Sequence, residues 1–279
     1  MPEITADMVK KLRDETQLPM MECKKALTES GGDMEAAKQT LREAGKKFMG
    51  KRTDRTTEEG RIGVYASVAG KVGAMIELKC ESAPVASNEE FVALANDLAT
   101  QLAKGPGAKS AEDLWKQPAP SKKGQTLEDW RDEIQNKIRE VFNLTRLERI
   151  DAPCGGFVHM AKIGVLAEVE GGNDELAKDV ALHVAAMSPK AASKEELDPA
   201  AIEQERQIQK ERARSEGKPE NIIEKMIEGR MKNFYAEHVL TEQPFVRDEA
   251  KTVGQLAKEG GMKVKRFIRW QLGEAAAAE

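Results

Sequence analysis

Several things are scarce in this 279-residue chain, and each scarcity excludes a class of function. Phe, Trp and Tyr number only 7, 3 and 2, too few for the stacking platforms of single-strand nucleic-acid binders. Excess positive charge is absent as well: 44 Lys plus Arg face 48 Asp plus Glu, a formal charge of −4, which excludes a basic nucleic-acid binder by bulk electrostatics. No apolar run approaches the roughly 20 residues that would cross a bilayer, and the opening Met-Pro-Glu-Ile-Thr-Ala-Asp is acidic where a secretory leader is basic. The three cysteines, Cys23, Cys80 and Cys154, lie far apart with no CxxC pair, which suits a reducing compartment. These absences point to a soluble, untargeted, cytoplasmic protein.

Motifs for chemistry are equally missing. There is no GxxxxGK[ST], GxGxxG, HExxH or GxSxG, and the three histidines, at 159, 183 and 238, have no metal-ligand spacing among themselves or with the cysteines. Neither an enzyme, a metal site nor a bound cofactor is expected. With 33% charged and 40% apolar residues, the chain carries more solvated surface than one compact domain needs, so several small modules are expected.

What is present begins with residues 1–48, which read as three short helices. Thr5 caps the first, with Met8, Val9 and Leu12 at helical spacing. The second runs from about Glu22 to Ser30 with Ala26 and Leu27 inward, and Gly31-Gly32 stops it before Asp33 caps the third, whose stripe is Met34, Ala37, Leu41 and Ala44. Met20 and Met21, at the break between the first two, either fill this small core or form an exposed docking corner. Residues 49–61, mixed in charge and without period, read as a hinge-like linker.

An internal repeat organises the remainder. Lys71-Val72-Gly73-Ala74-Met75-Ile76-Glu77-Leu78 matches Lys162-Ile163-Gly164-Val165-Leu166-Ala167-Glu168-Val169 without gaps, each ending a hairpin, and Asn88 and Asn173 then open helices. The core is therefore expected to be duplicated α+β, with one subdomain at 62–143 and the other at 144–279. The first copy carries an extra loop: residues 79–87 separate Leu78 from Asn88, against only 170–172 between Val169 and Asn173. It is either a functional insertion at a strand-to-helix corner or an ordinary elaborated corner. Residues 190–238 read as a projecting antiparallel helical hairpin, charged in its first half and carrying Ile222, Ile223, Met226, Ile227, Met231 and Phe234 as the stripe of its second. His159, at the second hairpin's turn, is either a plain surface histidine or a group placed to meet a partner.

Specific motifs then match a known family. Ile4-Thr5-Ala6, Leu12-Arg13, the run Met20 to Glu29, and Gly32-Asp33 resemble the amino-terminal signature of bacterial translation elongation factor Ts. Residues 162–166, 181–186, 228–232, 243–246 and 252–256 resemble that family's carboxy-terminal half, and the likeness runs from residue 2 to about 273. It implies a guanine-nucleotide exchange factor that binds elongation factor Tu with GDP or without nucleotide, with no direct nucleic-acid or membrane partner and an open oligomeric state. A binding-only relative that sequesters or stabilises elongation factor Tu is the alternative. The resemblance further implies a ubiquitin-associated-like fold for the bundle, docking on the GTPase partly through Arg13, Met20 and Met21, with His159 contacting the partner from the core. Family members push a Thr-Asp-Phe-Val loop toward the partner's magnesium site. Here that loop reads Ser82-Ala83-Pro84-Val85, without the acid or the aromatic wedge.

Overall fold

A computed structural model describes residues 4–52, 54–217 and 219–274. The described chain is α+β and divides into two compact units, one holding residues 4–63, 76–148 and 272–274, the other 64–75 and 149–271.

The first unit opens with three helices, α1 (Ala6–Thr16), α2 (Met20–Glu29) and α3 (Met34–Gly50). Each boundary has a local cause. The Thr5 hydroxyl accepts the Met8 N–H at 3.3 Å, and the Asp33 carboxylate accepts the Ala36 N–H at 2.9 Å. After α2 the chain turns left-handed at Gly31 and Gly32, with φ of 60° and 88°, so that the Gly32 N–H reaches back to the Leu27 carbonyl. Val9, Leu12, Leu18, Cys23, Ala26, Leu27, Ala37 and Leu41 are buried between the three helices.

The strands β1 (Glu59–Ser67) and β2 (Val72–Cys80) follow, then α4 (Ala83–Ala86), α5 (Glu89–Lys104), α6 (Ala111–Trp115), α7 (Leu127–Ile138) and β3 (Asn143–Ile150). The three strands form one sheet in the order β1-β2-β3. A Cβ at Gly63 of β1 would stand 2.6 Å from the Ala95 carbonyl oxygen of α5, so this glycine lets helix backbone lie directly on strand backbone. Phe91 and Phe142 meet edge to face at 4.8 Å in the same core. The helix α7 is fixed by a reciprocal capping box between Thr126 and Asp129.

The three-helix bundle packs against α7. A Cβ at Gly45 of α3 would lie 2.5–2.7 Å from the Asn136 side-chain amide, and the Asn136 Nδ2 donates to the Leu41 carbonyl at 3.3 Å. The ion pairs Arg42–Glu133 at 3.2 Å and Lys46–Asp132 at 3.1 Å flank this contact.

The second unit contains β4 (Cys154–His159), β5 (Ile163–Gly171), α8 (Asp174–Met187), α9 (Pro199–Ser215), α10 (Glu220–His238), β6 (Pro244–Phe245), β7 (Asp248–Thr252), α11 (Val253–Glu259) and β8 (Met262–Gln271). Its sheet is antiparallel, in the order β4-β5-β8, and α8 covers one face of it. Val165, Ala167 and Val169 of the sheet, Val180 and Val184 of α8, and Phe245, Val253 and Val264 share one core. Here too a strand glycine admits the helix: a Cβ at Gly155 would fall 2.1 Å from the Ala177 carbonyl oxygen.

The hairpin expected at 190–238 is realised as α9 and α10, with Asp198 capping α9 and Pro199 at its first position. Its seam is Ala213, Ile223, Ile227 and Met231, with Ile202, Phe234 and Tyr235 packed alongside. One expected member of the apolar register is corrected. Ile222 faces solvent, because the 3.6-residue period centred on Ile223, Ile227 and Met231 carries it round to the outer face. The short β6–β7 pair carries no alternating pattern that would mark it in the sequence.

Candidate functional site

The residues that the resemblance singles out fall at three places. The first is the α1–α2 corner. Pro19 holds an extended φ and ψ before α2, and the register that buries Cys23, Ala26 and Leu27 turns the helix start outward. Met20 and Met21 are 50% and 73% exposed, so neither fills the bundle core. Arg13 is exposed on α1. This helix start is held by Glu22, whose two carboxylate oxygens receive Arg139 Nη2 at 2.9 and 2.7 Å. Arg139 itself takes a left-handed φ of 66° at the end of α7 and stacks over the Phe48 ring at 4.6 Å.

The second place is the corner between β2 and α5. Residues 79–87 are not an open loop: β2 continues to Cys80, Ser82 precedes the single helical turn α4, and Ala83 and Pro84 stand at the start of that turn. Proline fits there because its missing N–H would have no helical acceptor. Ala83 and Pro84 are exposed, whereas Val85 is buried. Beneath them lies a clamp that the sequence did not announce. One Glu140 oxygen accepts the backbone N–H groups of Glu81 and Ser82, each at 3.1 Å, while the other accepts the Ser82 hydroxyl at 2.6 Å. In return Glu81 accepts the Val141 N–H at 2.9 Å and pairs with Arg55 at 2.7 Å. Burial alone would raise the Glu81 carboxyl; the Val141 N–H and the Arg55 guanidinium outweigh it and hold it below its ordinary 4.5. Next to it, the Cys80 thiol is pushed up to about 12, first by burial and then by the Glu140 charge, which leaves it an inert structural thiol rather than a nucleophile. The clamp joins residues nearly 60 positions apart, so no local pattern could have revealed it.

The third place is the β4–β5 turn. His159 pairs with Ile163 across the ladder and is exposed. Met160 and Ala161 form the turn with φ of 46° and 61°, closed by the Lys162 N–H on the His159 carbonyl at 3.0 Å. Arg13, Met20, Met21 and Ser82–Val85 thus belong to the first unit and His159 to the second. His183, by contrast, is wholly buried, with Nε2 3.0 Å from Gln243 Oε1 and Nδ1 accepting the Val246 N–H at 3.1 Å. Because Nδ1 accepts, Nε2 carries the proton. Among the described residues no cluster of His, Cys, Asp and Glu could hold a metal ion, and no helix is long and apolar enough to cross a membrane.

Residues 84–274 match the family model described as Elongation factor TS. Elongation factor Ts of Azoarcus sp. is 45% identical over 277 residues, covering 98% of this chain and 92% of that one. The chain belongs to the elongation factor Ts family. Elongation factor Ts of Methylococcus capsulatus is 42% identical over 279 residues, covering 99% and 94%, and that of Nitratidesulfovibrio vulgaris is 41% identical over 293 residues, covering 99% and 98%. The matched region of the elongation factor Ts model begins at Pro84, whereas the relatives also span the helical bundle with Arg13, Met20 and Met21. Membership in the elongation factor Ts family places the chain in protein biosynthesis, at translation elongation.

Proposed function

We propose that this chain is a guanine-nucleotide exchange factor: it binds elongation factor Tu carrying GDP and promotes GDP release. The observation that carries the reading is the nearly full-length similarity to elongation factor Ts chains, within which Arg13, Met20, Met21 and His159 all lie on the surface. In this reading the bundle of residues 1–48 docks on the GTPase domain and the core, residues 62–143 and 144–279, grips elsewhere through His159. The partner is a protein, not a nucleic acid or a membrane, and the setting is the cytoplasm. The chain breaks no covalent bond, so it is not an enzyme in the usual sense.

The energetics define what such a factor must supply. A partner that holds GDP at nanomolar strength does so with about −12 kcal/mol, and weakening that a thousandfold takes about 4 kcal/mol of coupling. Coupling of this kind arises only from binding the nucleotide-free partner better than the GDP-bound one. Ser82-Ala83-Pro84-Val85 offers a methyl group and a pyrrolidine ring at the exposed end of α4, with no carboxylate to engage a magnesium site. Most of the differential binding in this chain therefore comes from the bundle and the hairpin tip, and the corner contributes less.

That same corner favours a second reading, a binding-only relative that captures elongation factor Tu without accelerating exchange. Stopped-flow release of fluorescent GDP from elongation factor Tu separates the two. Acceleration at substoichiometric amounts supports exchange; tight binding with an unchanged release rate supports sequestration.

A further inference from the structure

The two repeated hairpins differ at their tips in a way that the fold does not require. Both close with a lysine N–H on a carbonyl three residues back, Lys71 on Val68 at 3.2 Å and Lys162 on His159 at 3.0 Å, so Val68 and Ala69 correspond to His159 and Met160. In the first hairpin the tip is tied down. Val68 packs, partly buried, against the second unit's core, and its N–H donates to the Asp174 carboxylate at 2.6 Å. The residue that follows is only an alanine. In the second hairpin His159 is exposed and Met160, a long thioether side chain, is 80% exposed, more than any other exposed large hydrophobic residue described.

The backbone makes this display costly. Met160 and Ala161 both hold positive φ, 46° and 61°, in a turn whose two central positions ordinarily go to Asn and Gly. Left-handed backbone disfavours any residue with a Cβ, and such strain gathers at functional sites. A methionine kept in that conformation, bare to water and adjacent to His159, has the character of an adaptable apolar anchor.

We infer that Met160 is a partner-contact residue, inserting its thioether side chain into an apolar recess on elongation factor Tu beside the His159 contact. This rests on the exchange reading above. It adds an apolar anchor at the hairpin tip to the surface that His159 begins.

The test uses the full-length chain, its Met160→Gly and Met160→Leu variants, and nucleotide-free elongation factor Tu, with affinity by titration calorimetry and stability by thermal unfolding. Glycine relieves the left-handed strain while deleting the anchor, so the two readouts are expected to part. Met160→Gly should weaken binding about tenfold, equivalent to about 1.4 kcal/mol, with Tm unchanged or raised. Met160→Leu should bind within about threefold of the parent, since it keeps the apolar volume. Equal affinity of Met160→Gly and parent overturns the inference, and so does a loss of affinity that comes with a fall in Tm, which would mark a structural role. A parental chain that does not bind elongation factor Tu at all overturns the exchange reading along with it.

Discussion

The Ser82 hydroxyl donates to Glu140 at 2.6 Å, and the same carboxylate takes the Ser82 and Glu81 backbone N–H groups at 3.1 Å. One side chain just beyond α7 thereby fixes the corner on which Ala83 and Pro84 are displayed. Glu140→Ala strands two backbone donors at a part-buried site, a loss of about 2 kcal/mol. Thermal unfolding should show a Tm lowered by about 4–8 °C.

Restoring the family motif at that corner, through Ala83→Asp with Pro84→Phe, should raise the GDP release rate and make it more sensitive to magnesium. The clamp below holds Glu81 and Ser82 through Glu140, Val141 and Arg55, touches neither Ala83 nor Pro84, and is left intact by the change. Stopped-flow rates across a magnesium series check this, and identical rates for parent and variant would show that the corner has no leverage.

A second carboxylate, Glu77 of β2, is buried with Thr145 Oγ1 at 2.6 Å, the Arg146 guanidinium, and the Gly273 N–H at 3.2 Å. Burial by itself would raise this carboxyl, yet the Arg146, Thr145 and Gly273 donors prevail and hold it below 4.5. A folded-state value below the unfolded one means that the stabilisation is complete above pH 4.5 and is lost as pH falls through the lower folded value. Glu77→Gln should flatten the acid limb of a Tm–pH curve. It should also cost about 2 kcal/mol near neutrality, because the buried Glu77 position loses its charge-assisted hydrogen bonds from Thr145, Arg146 and Gly273.

His183 titrates with the same sign for a different reason. Burial lowers its value below the ordinary 6.5, so the unfolded state takes up the proton first and stability drops as pH falls below 6.5. A His183→Gln variant should be less stable at pH 7.5 and should lose less Tm than the parent between pH 7.5 and 5.5.

Gly45 and Asn136 form a coupled pair across α3 and α7. Gly45→Ala places a methyl group against the buried amide and should cost about 1–2 kcal/mol despite alanine's better helix propensity. Adding Asn136→Ala should recover part of that loss, and a double-mutant cycle measures the coupling. Strict additivity would mean that the two side chains do not compete for space.

The sequence was most informative where a pattern is local. Thr5, Asp33, Asn88 and Asn173 all cap the helices they were expected to open, because a capping oxygen acts on N–H groups two or three residues away. The gapless repeat likewise foretold the β1–β2 and β4–β5 hairpins. What stayed hidden depends on distant partners. Nothing local marks Gly63 and Gly155 as the positions against which the Ala95 and Ala177 carbonyls lie. The Glu140 clamp, the Glu77 network and the buried ring of His183 are invisible for the same reason. Ile222 shows the converse, since an apolar residue one position off a helical seam points outward whatever its hydropathy. Of the candidate site, sequence motifs supplied the residues, while the exposure of Met20 and Met21 and the strained turn at Met160 required the structure.

The central claim is that this chain distinguishes two states of elongation factor Tu, and titration calorimetry against each state tests it directly. The account predicts affinity for the nucleotide-free protein at least about a hundredfold greater than for the GDP-bound protein, with GDP affinity reduced by the same factor in the complex. Equal affinity for the two forms would contradict it, because a ligand that binds both states alike shifts neither.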